Sequence, residues 1–319
     1  MPQRRRLNIL FLGAGKRMSL FERVSRACEA EGVCPTLYTY EDSPNVPVAA
    51  LATVVVGLPW KAPGFTQHLL STVIRHNIQV VVPCMDAATV ALSQVATSLQ
   101  EVGCWPVVSD LQTCITFENK RLTAAWFLEH GVLTPVWQPD SPFPWIVKHV
   151  HGFGSRNQFI VDSRDEFELL KSKVDLNEYI VQPFVEGPEF TVDAYVSRRG
   201  QILGCVTRRR LLVVGGEVVN SVTERKDALI RETTRILSVG GFQGPVTFQA
   251  IQNNDDFWFI EGNLRFGGGV ILSMEAGADY ARLLVREYLG RPVRPVSWEE
   301  GVLMTRAYRE VFHKGVKGW

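Results

Sequence analysis

The sequence lacks any long apolar run. Apolar stretches such as residues 54–58 are far shorter than the roughly 18 residues that a membrane-spanning helix requires. The arginines at 4–6 lead into a predicted strand and not into the apolar core of a signal peptide. We therefore expect a cytoplasmic protein with no membrane partner.

An excess of charge of either sign is also lacking. Lys and Arg number 34 and Asp and Glu number 33, so that the net charge is +1 over 319 residues. A nucleic-acid partner normally requires a basic patch, which this balance does not indicate. Any anion that the protein binds must therefore be bound locally.

Cysteine pairs with functional spacing are missing as well. The six cysteines show neither a C-x-x-C motif nor a Cys/His spacing typical of zinc sites. This pattern fits reduced, buried thiols better than disulfides or a zinc site.

The first part of the chain alternates strands and helices. Residues 7–15 predict a buried strand that ends in glycine, and residues 19–32 predict an amphipathic helix closed by Gly32. A single helix is predicted over 86–102 and a last strand over 105–109. This pattern predicts a parallel, helix-covered sheet, and hence a Rossmann-like domain over residues 1–115.

The pattern changes after a proline-rich connector at 136–144. A helix is predicted over 116–131, before the connector. Beyond it, paired strands, a glycine loop at 151–155 and a helix opened by the capping box at 163–166 predict an α+β arrangement. The fold class is therefore α/β followed by α+β.

Gln249, Glu261 and Asn263 lie on one predicted hairpin and form the first candidate site. If its connection has three or five residues, Gln249 and Glu261 lie directly opposite each other, and Asn263 follows on the same face. Carboxylate and amide oxygens are ligands that magnesium prefers, and Arg265 could bind a phosphate. The alternative is a solvated strand end.

Lys148 is the second candidate because it precedes the glycine loop in an apolar strand. A lysine there is well placed to bind an anion held by the backbone N–H groups of the loop. An outward-facing lysine on an edge strand would give the same pattern.

Two further segments carry weaker signals. Exposed main-chain groups at 182–185 could bind an adenine edge, with Glu189 binding ribose hydroxyls, although an interdomain hinge would have the same composition. Arg208 and Arg210 share one face of a strand and could hold an anion, unless they form a solvated basic edge.

The GAGK stretch at 13–16 matches neither common phosphate-binding motif. A Walker A loop would need glycine where Leu10 stands and Ser or Thr where Arg17 stands. A dinucleotide fingerprint would need a small residue at Met18, although Glu41 and Asp42 after the second strand are acceptable.

In their order along the chain these features resemble the ATP-grasp ligases. They are Lys120, Lys148 with its glycine loop, the segment 182–189, and the set Gln249, Glu261, Asn263 and Arg265. The similarity is greatest to the ATP-grasp units of the carbamoyl-phosphate synthase large subunit and their single-copy relatives. It implies a Rossmann-like pre-ATP-grasp domain over 1–115, a small ATP-grasp lobe over 116–185 and a large lobe over 186–319.

The resemblance also implies a role for each site residue. The expected ATP contacts are Lys120, Lys148, Gly152, Gly154, Ser155, Gln182, Phe184, Val185 and Glu189. The expected ligands of Mg²⁺, or of Mn²⁺ in its place, are Gln249, Glu261 and Asn263. Arg265 is expected to stabilise the transferring phosphoryl group, Arg208 and Arg210 to face the substrate, and glycines 267–269 to let the substrate carboxylate approach.

The function implied by the resemblance is ATP-dependent ligation of a carboxylate to an amine or ammonia through an acyl phosphate. The expected partners are these small molecules, and formation of a homodimer stays open. Two alternatives also stay open: a catalytically silent nucleotide-binding module, and a Rossmann NAD(P)-dependent oxidoreductase based on the GAGK stretch with Glu41 and Asp42.

Overall fold

The chain folds into two compact units. The computed structural model describes residues 5–152 and 157–313. Unit 1 contains the described residues up to 111, residues 279–295 and those from 306 onward, and unit 2 contains 112–278 and 296–305. Within the described ranges, no helix is both long and apolar enough to cross a membrane.

A five-stranded parallel sheet forms the centre of unit 1. Its strands are β1 (Arg6–Leu12), β2 (Cys34–Glu41), β3 (Thr53–Val56), β4 (Val80–Pro83) and β5 (Trp105–Pro106), in the order β3-β2-β1-β4-β5. Every residue of β4 is buried, as expected for a strand with both faces covered. Helices α1 (Met18–Ala30), α2 (Phe65–Arg75), α3 (Asp86–Gln94) and α4 (Ala96–Glu101) connect the strands. The predicted Rossmann-like architecture is confirmed.

Two elements of unit 1 differ from their predictions. The helix expected over 86–102 is interrupted at Val95, whose φ of −106° and ψ of 5° end α3 before α4 begins. The strand expected over 105–109 pairs with β4 only at Trp105 and Pro106. Both predictions were wrong because apolar periodicity does not report a local turn.

Unit 2 begins with two helices where one was predicted over 116–131. They are α5 (Leu111–Glu118) and α6 (Lys120–Glu129). Asn119 leaves the helical conformation, and its side chain accepts hydrogen bonds from the backbone N–H groups of Arg121 and Leu122. Asparagine is a strong N-cap, so that a new helix starts at Lys120.

A three-stranded antiparallel sheet follows, in the order β7-β6-β8. Its strands are β6 (Trp145–His149), β7 (Gln158–Val161) and β8 (Tyr179–Pro183), and α7 (Arg164–Lys171) packs against it through Phe167 and Leu170. Ser163 caps α7 by accepting from the N–H of Glu166, as the capping box predicts. Trp145 and Val147 point into this core, which leaves Ile146 and Lys148 on the other face.

A six-stranded sheet forms the larger part of unit 2, in the order β13-β12-β9-β10-β11-β14. Its strands are β9 (Glu189–Val196), β10 (Ile202–Val214), β11 (Glu217–Thr223), β12 (Gly244–Asn253), β13 (Asp256–Asn263) and β14 (Leu303–Thr305), accompanied by helices α8 (Asp227–Ser238) and α9 (Val270–Glu275). Phe190, Phe248 and Phe259 are fully buried on one face. The opposite face carries the polar residues discussed below. The predicted three-part division of the chain, with its boundary at 185, stays a prediction.

The chain returns to unit 1 through helix α10 (Tyr280–Tyr288). Glu31, at the end of α1 and almost fully buried, pairs with three arginines of this segment. Its carboxylate lies 2.6 Å from Arg282 Nε, 3.1 Å from Arg286 Nη1 and 2.5 Å from Arg291 Nη1. Burial alone would raise the pKa of Glu31, but these hydrogen bonds outweigh it and lower the pKa to about 2.

Replacing Glu31 by glutamine should destabilise unit 1. Because the folded pKa of about 2 lies below the ordinary 4.5, the carboxylate stabilises the fold above pH 4.5, and this contribution disappears as the pH falls towards 2. The arginines are partly exposed, so we expect Glu31→Gln to lower the free energy of unfolding by roughly 1–2 kcal/mol at pH 7. Urea denaturation of the wild type and the variant at pH 7 and pH 3 measures this difference in the free energy of unfolding.

Glu22→Gln is the matched control, since Glu22 lies on the same helix and pairs with Arg309 at the surface. It should change stability little at either pH. An effect of Glu31→Gln that is equal at pH 7 and pH 3 would contradict the assignment of the stabilisation to the charged carboxylate.

Candidate active site

The register of the six-stranded sheet gathers the predicted metal and phosphate residues on one face. Gln249 pairs with Glu261 on one side and with Thr191 on the other, and Thr191 pairs with Arg208. Residues directly opposite in neighbouring strands share a face, so these four form one row across β13, β12, β9 and β10. The predicted opposition of Gln249 and Glu261 is confirmed.

The hairpin achieves this pairing in an unpredicted way. The turn between β12 and β13 has two residues, Asn254 and Asp255, and not three or five. With that turn alone Gln249 would face Ile260. The register shifts between Gln249 and Ala250 because Ile260 is an extra residue on β13, a β-bulge that brings Glu261 opposite Gln249.

Arg210 connects two of the predicted ligands on this face. Its Nε lies 3.4 Å from a carboxylate oxygen of Glu189, and its Nη2 donates to the carbonyl oxygen of Gly216 at 3.1 Å. The side-chain amide of Gln249 can be oriented so that both its oxygen and its nitrogen form hydrogen bonds. In that orientation its oxygen accepts from Arg210 Nη1, and its nitrogen donates to a carboxylate oxygen of Glu261 at 2.8 Å. The chain Glu189–Arg210–Gln249–Glu261 therefore runs across the predicted site.

The same orientation bears on metal binding. A cation between Gln249 and Glu261 requires the amide oxygen to face the carboxylate, which places the amide nitrogen beside Arg210. Among the described residues, no group of three His, Cys, Asp or Glu side chains is arranged to hold a metal. The carboxylate and amide oxygens fit Mg²⁺ chemically, but as a sparse set that needs further oxygens from a phosphate.

Lys148 on the small sheet and Lys120 at the start of α6 bring positive charge to the site. Lys148 lies on β6 opposite Gln158 and Ile180. Burial, reinforced by the charge of Lys120, lowers the pKa of Lys148 to about 8, while Glu261 and Glu189 partly restore it. These interactions place Lys148 near both carboxylates, while the ATP-binding and metal-binding roles of these residues stay predictions.

The glycine loop after Lys148 is described only in part. The Nζ of Lys120 donates to the carbonyl oxygen of Gly152 at 2.7 Å, and its backbone N–H donates to Val150 at 3.0 Å. Lys120 therefore contacts the start of the loop. Gly154 and Ser155, predicted to bind phosphate, lie outside the described residues.

A pocket of about 380 Å³ lies beside the segment predicted to bind adenine. Phe184 and Val185 are among its lining residues, while Gln182 is buried and donates to the carbonyl oxygen of Pro135 at 2.9 Å. Trp258 also lines the pocket, and it shares the face of Glu189 because both lie in the row of Ile251. The sequence did not single out Trp258, since an aromatic residue in an apolar strand reads as core.

The end of β13 and the segment after it carry the other residues predicted to bind metal and phosphate, and these roles stay predictions. Asn263 is buried opposite Thr247, and Arg265 is partly exposed. The glycines that follow lie against the sheet: a Cβ at Gly267 would stand 2.7 Å from Asp193, and one at Gly269 would stand 2.7 Å from Arg208. Two of the three glycines are therefore required by contacts within the chain.

Arg208 does not face open space, contrary to its prediction as a substrate contact. It is 2 % exposed, and its Nε donates to Asp193 at 2.8 Å. Arg210, two residues along the same face, is 8 % exposed at its side chain. The two arginines share a face as predicted, but Arg208 lies in the interior beneath the glycines.

In unit 1, the GAGK stretch is engaged by a side chain of the protein. The carboxylate of Glu41 accepts hydrogen bonds from the backbone N–H groups of Ala14 and Gly15 and from the hydroxyl of Thr39. Burial raises the pKa of Glu41, and these hydrogen bonds oppose the increase. A dinucleotide phosphate would need the same N–H groups, so this arrangement does not favour NAD binding.

Comparison with solved structures identifies the fold. An N5-carboxyaminoimidazole synthetase from Staphylococcus aureus, complexed with ADP, superposes with a TM-score of 0.74 at 12% identity, covering 93% of this chain and 81% of its own. The chain has the ATP-grasp fold. An L-amino acid ligase from Bacillus licheniformis gives a TM-score of 0.68 at 21% identity, covering 92% of this chain and 76% of that one.

A third similar structure contains bound ligands. The biotin carboxylase domain of a Hydrogenobacter thermophilus 2-oxoglutarate carboxylase, complexed with MgADP, ADP and bicarbonate, gives a TM-score of 0.72 at 15% identity, covering 90% of this chain and 70% of that one. A family model described as "ATP-grasp in the biosynthetic pathway with Ter operon" matches residues 175–309, which is less than half of the chain. No curated protein sequence matches the chain significantly.

The predicted ATP-grasp resemblance is thus confirmed, while the narrower similarity to carbamoyl-phosphate synthase stays a prediction. The matched segment 175–309 includes the hinge, β9 to β13 and the row of Gln249 and Glu261. It leaves out Lys120 and Lys148, and the structure places Lys148 near Glu261 of that row.

Replacing Lys148 by methionine should stabilise the protein. Between pH 8 and pH 10.5 the unfolded chain binds more protons at this lysine than the folded chain, so the penalty for burying its charge is greatest at neutral pH. We expect Lys148→Met to raise the free energy of unfolding by about 1–2 kcal/mol at pH 7, allowing for solvent screening. Denaturation at pH 7 and pH 10.5 tests it.

The gain should shrink as the pH approaches 10.5, where the unfolded lysine also begins to lose its proton. Lys171→Met is the control, because Lys171 is exposed and pairs with Glu168 at the surface. A loss of stability in Lys148→Met at pH 7 would show that neighbouring carboxylates more than offset the cost of burying the lysine charge.

Proposed function

We propose that the protein is an ATP-dependent ligase that joins a carboxylate to an amine or to ammonia through an acyl phosphate, releasing ADP and phosphate. The observation that carries this proposal is the meeting of Lys148 with Glu261 and Glu189 across two sheets. Phosphoryl transfer requires mainly positioning and charge neutralisation, which lysines, an arginine and metal ligands supply.

The nucleotide would lie between the small sheet and the polar face of the large sheet. Its base would enter the pocket beside Phe184, Val185 and Trp258, whose volume of about 380 Å³ is in the range of small-molecule sites. Lys120 and Lys148 would hold the phosphates. The ADP complexes of two similar structures support this placement of a nucleotide.

The metal proposed is Mg²⁺, with Mn²⁺ as a substitute. Gln249 and Glu261 would hold it, with Asn263 as a further ligand, and the metal would neutralise charge between the β- and γ-phosphates. Arg210 lies close enough to bind Gln249, so its positive charge should weaken metal binding in the absence of phosphate. Nucleotide and metal should therefore bind together.

The chemistry follows from the poor electrophilicity of a carboxylate. A carboxylate oxygen would attack the γ-phosphorus, and the bond to the leaving ADP would break, which gives an acyl phosphate. The amine nitrogen would then attack the acyl carbon, lose a proton and expel phosphate. Arg265 would stabilise the charge on the transferring group, and no nucleophilic side chain is needed.

Amino acids, ammonia and bicarbonate are the first substrates to screen. The similar L-amino acid ligase suggests amino acids both as the carboxylate and as the amine. The bicarbonate in the biotin carboxylase domain suggests bicarbonate as an alternative to the carboxylate substrate. The cytoplasmic location stays a prediction. The oligomeric state stays open.

Wild-type protein should release ADP only when a carboxylate and an amine are both present. Glu261→Gln should lower this rate at least about 100-fold, because it removes the only carboxylate among the proposed metal ligands. Coupled ADP detection with mass spectrometry of the products provides the measurement. Asp256→Asn, an exposed carboxylate on the same strand, is the control and should retain activity.

Two results would contradict the proposal. Full activity in Glu261→Gln would refute the metal assignment. Tight ATP binding without ADP release for any screened pair would favour the silent nucleotide-binding module.

Trp258→Ala should weaken nucleotide binding, and it should do so only by removing a contact with the base. Loss of aromatic contact is expected to raise the Kd of MgATP about 5- to 30-fold. Inorganic triphosphate lacks the base, so its competition with a fluorescent ATP analogue should be unchanged. Phe257→Ala is the control, since Phe257 packs on the opposite face against Phe190 at 5.8 Å. Equal losses for both ligands in Trp258→Ala would place the base elsewhere.

A further inference from the structure

One buried carboxylate connects three elements behind the proposed site. Asp193 on β9 is 1 % exposed. Its Oδ2 accepts from Arg208 Nε on β10 at 2.8 Å and from the hydroxyl of Ser273 on α9 at 2.7 Å. Its Oδ1 lies 3.2 Å from the hydroxyl of Thr247 on β12. Two strands and a helix are thus fixed to β9 by a single side chain.

The segment between β13 and α9 rests on this ion pair. Gly267 approaches Asp193 and Gly269 approaches Arg208 so closely that a Cβ at either position would lie 2.7 Å from the nearest atom of the pair. The carbonyl oxygen of Arg265 lies 3.2 Å from the hydroxyl of Thr247. The backbone on both sides of Phe266 is therefore held against the ion pair.

Stability alone does not account for such a pair. Buried ion pairs can often be replaced by apolar residues without loss, because removing two charges from water is expensive. Arg208 also buries its Nη1 without a hydrogen-bond partner among the described residues, which adds to that expense. Because this ion pair contributes little to the stability of the fold, its role is better explained by the backbone geometry that it imposes on its neighbours.

The backbone that the ion pair holds in place includes Arg265. Asn263 is the last residue of β13, on which Glu261 also lies, and Arg265 follows two residues later. A guanidinium acts on a transferring phosphoryl group only when it is held within about 1 Å of the right place. Arg208 cannot supply that guanidinium itself, because it is 2 % exposed.

We propose that Asp193 and Arg208 are positioning residues that hold the segment from Arg265 to Gly269 in the geometry required for phosphoryl transfer. The proposal rests on the proposed function, and it replaces the expectation that Arg208 contacts the substrate. The pair acts through Arg265, and nucleotide binding by the hinge and by Lys148 does not depend on it.

The test uses a charge-neutral double variant, Asp193→Asn with Arg208→Gln, which leaves no single charge buried. With the substrate pair from the ADP-release screen, we expect kcat to fall about 10- to 100-fold while the KM for MgATP changes less than about twofold. Hydrogen exchange should accelerate at the amides of 265–269 and stay unchanged at 182–185.

Thr207→Val is the matched control. Thr207 is fully buried on the same strand as Arg208, and its hydroxyl donates to the carbonyl oxygen of Glu224 on the opposite face. This variant also loses a buried hydrogen bond, so it should lower overall stability without changing kcat or the exchange at 265–269. Ser273→Ala, which keeps both charges, should show a smaller change of the same kind as the double variant.

Each outcome decides the matter. Wild-type kcat and exchange in the double variant would overturn the proposal, and so would faster exchange throughout unit 2 that Thr207→Val reproduces. If the double variant does not fold, unchanged kcat and exchange in Ser273→Ala would overturn it. If wild-type protein releases no ADP with any substrate, the proposed function fails, and exchange at 265–269 decides the role of the pair by itself.

Discussion

The balance of charge on the polar face of the six-stranded sheet is the constraint on which the rest of the site depends. Lys148 and Arg210 interact with Glu189 and Glu261 at partly buried positions, where charges attract and repel more strongly than in water. Burial raises the pKa of Glu189, although Arg210 and Lys148 oppose the increase. Each of these four charged groups therefore has an opposite charge nearby.

That balance also explains why Gln249 is an amide. A carboxylate at this position would place a third negative group beside Glu189 and Glu261, in direct contact with Arg210. The amide keeps the oxygen that a cation needs and avoids that charge. The same choice lowers the intrinsic attraction for a divalent cation, and this makes the phosphates of the nucleotide part of the metal site.

Much of this arrangement could be predicted from local patterns. Alternation along β13 and β10 correctly placed Glu261 with Asn263, and Arg208 with Arg210, because side chains on a strand have a period of two. The β-bulge at Ile260 could not be predicted, since isoleucine in an apolar strand gives no sign of an extra residue. The Asp193–Ser273 contact and the pairing of Glu31 with Arg291 join residues far apart in sequence, where no periodicity carries a signal.

The glycines after Arg265 show that a motif can have a structural reason besides the one that its sequence suggests. Three consecutive glycines suggest a backbone that makes room for a ligand. Here Gly267 and Gly269 make room for Asp193 and Arg208, and only Gly268 is exposed. A side chain at Gly267 or Gly269 would push the segment away from the ion pair and displace Arg265. Their absence of a side chain therefore serves the site indirectly, by letting an interior charge pair reach the backbone that carries the proposed catalytic arginine.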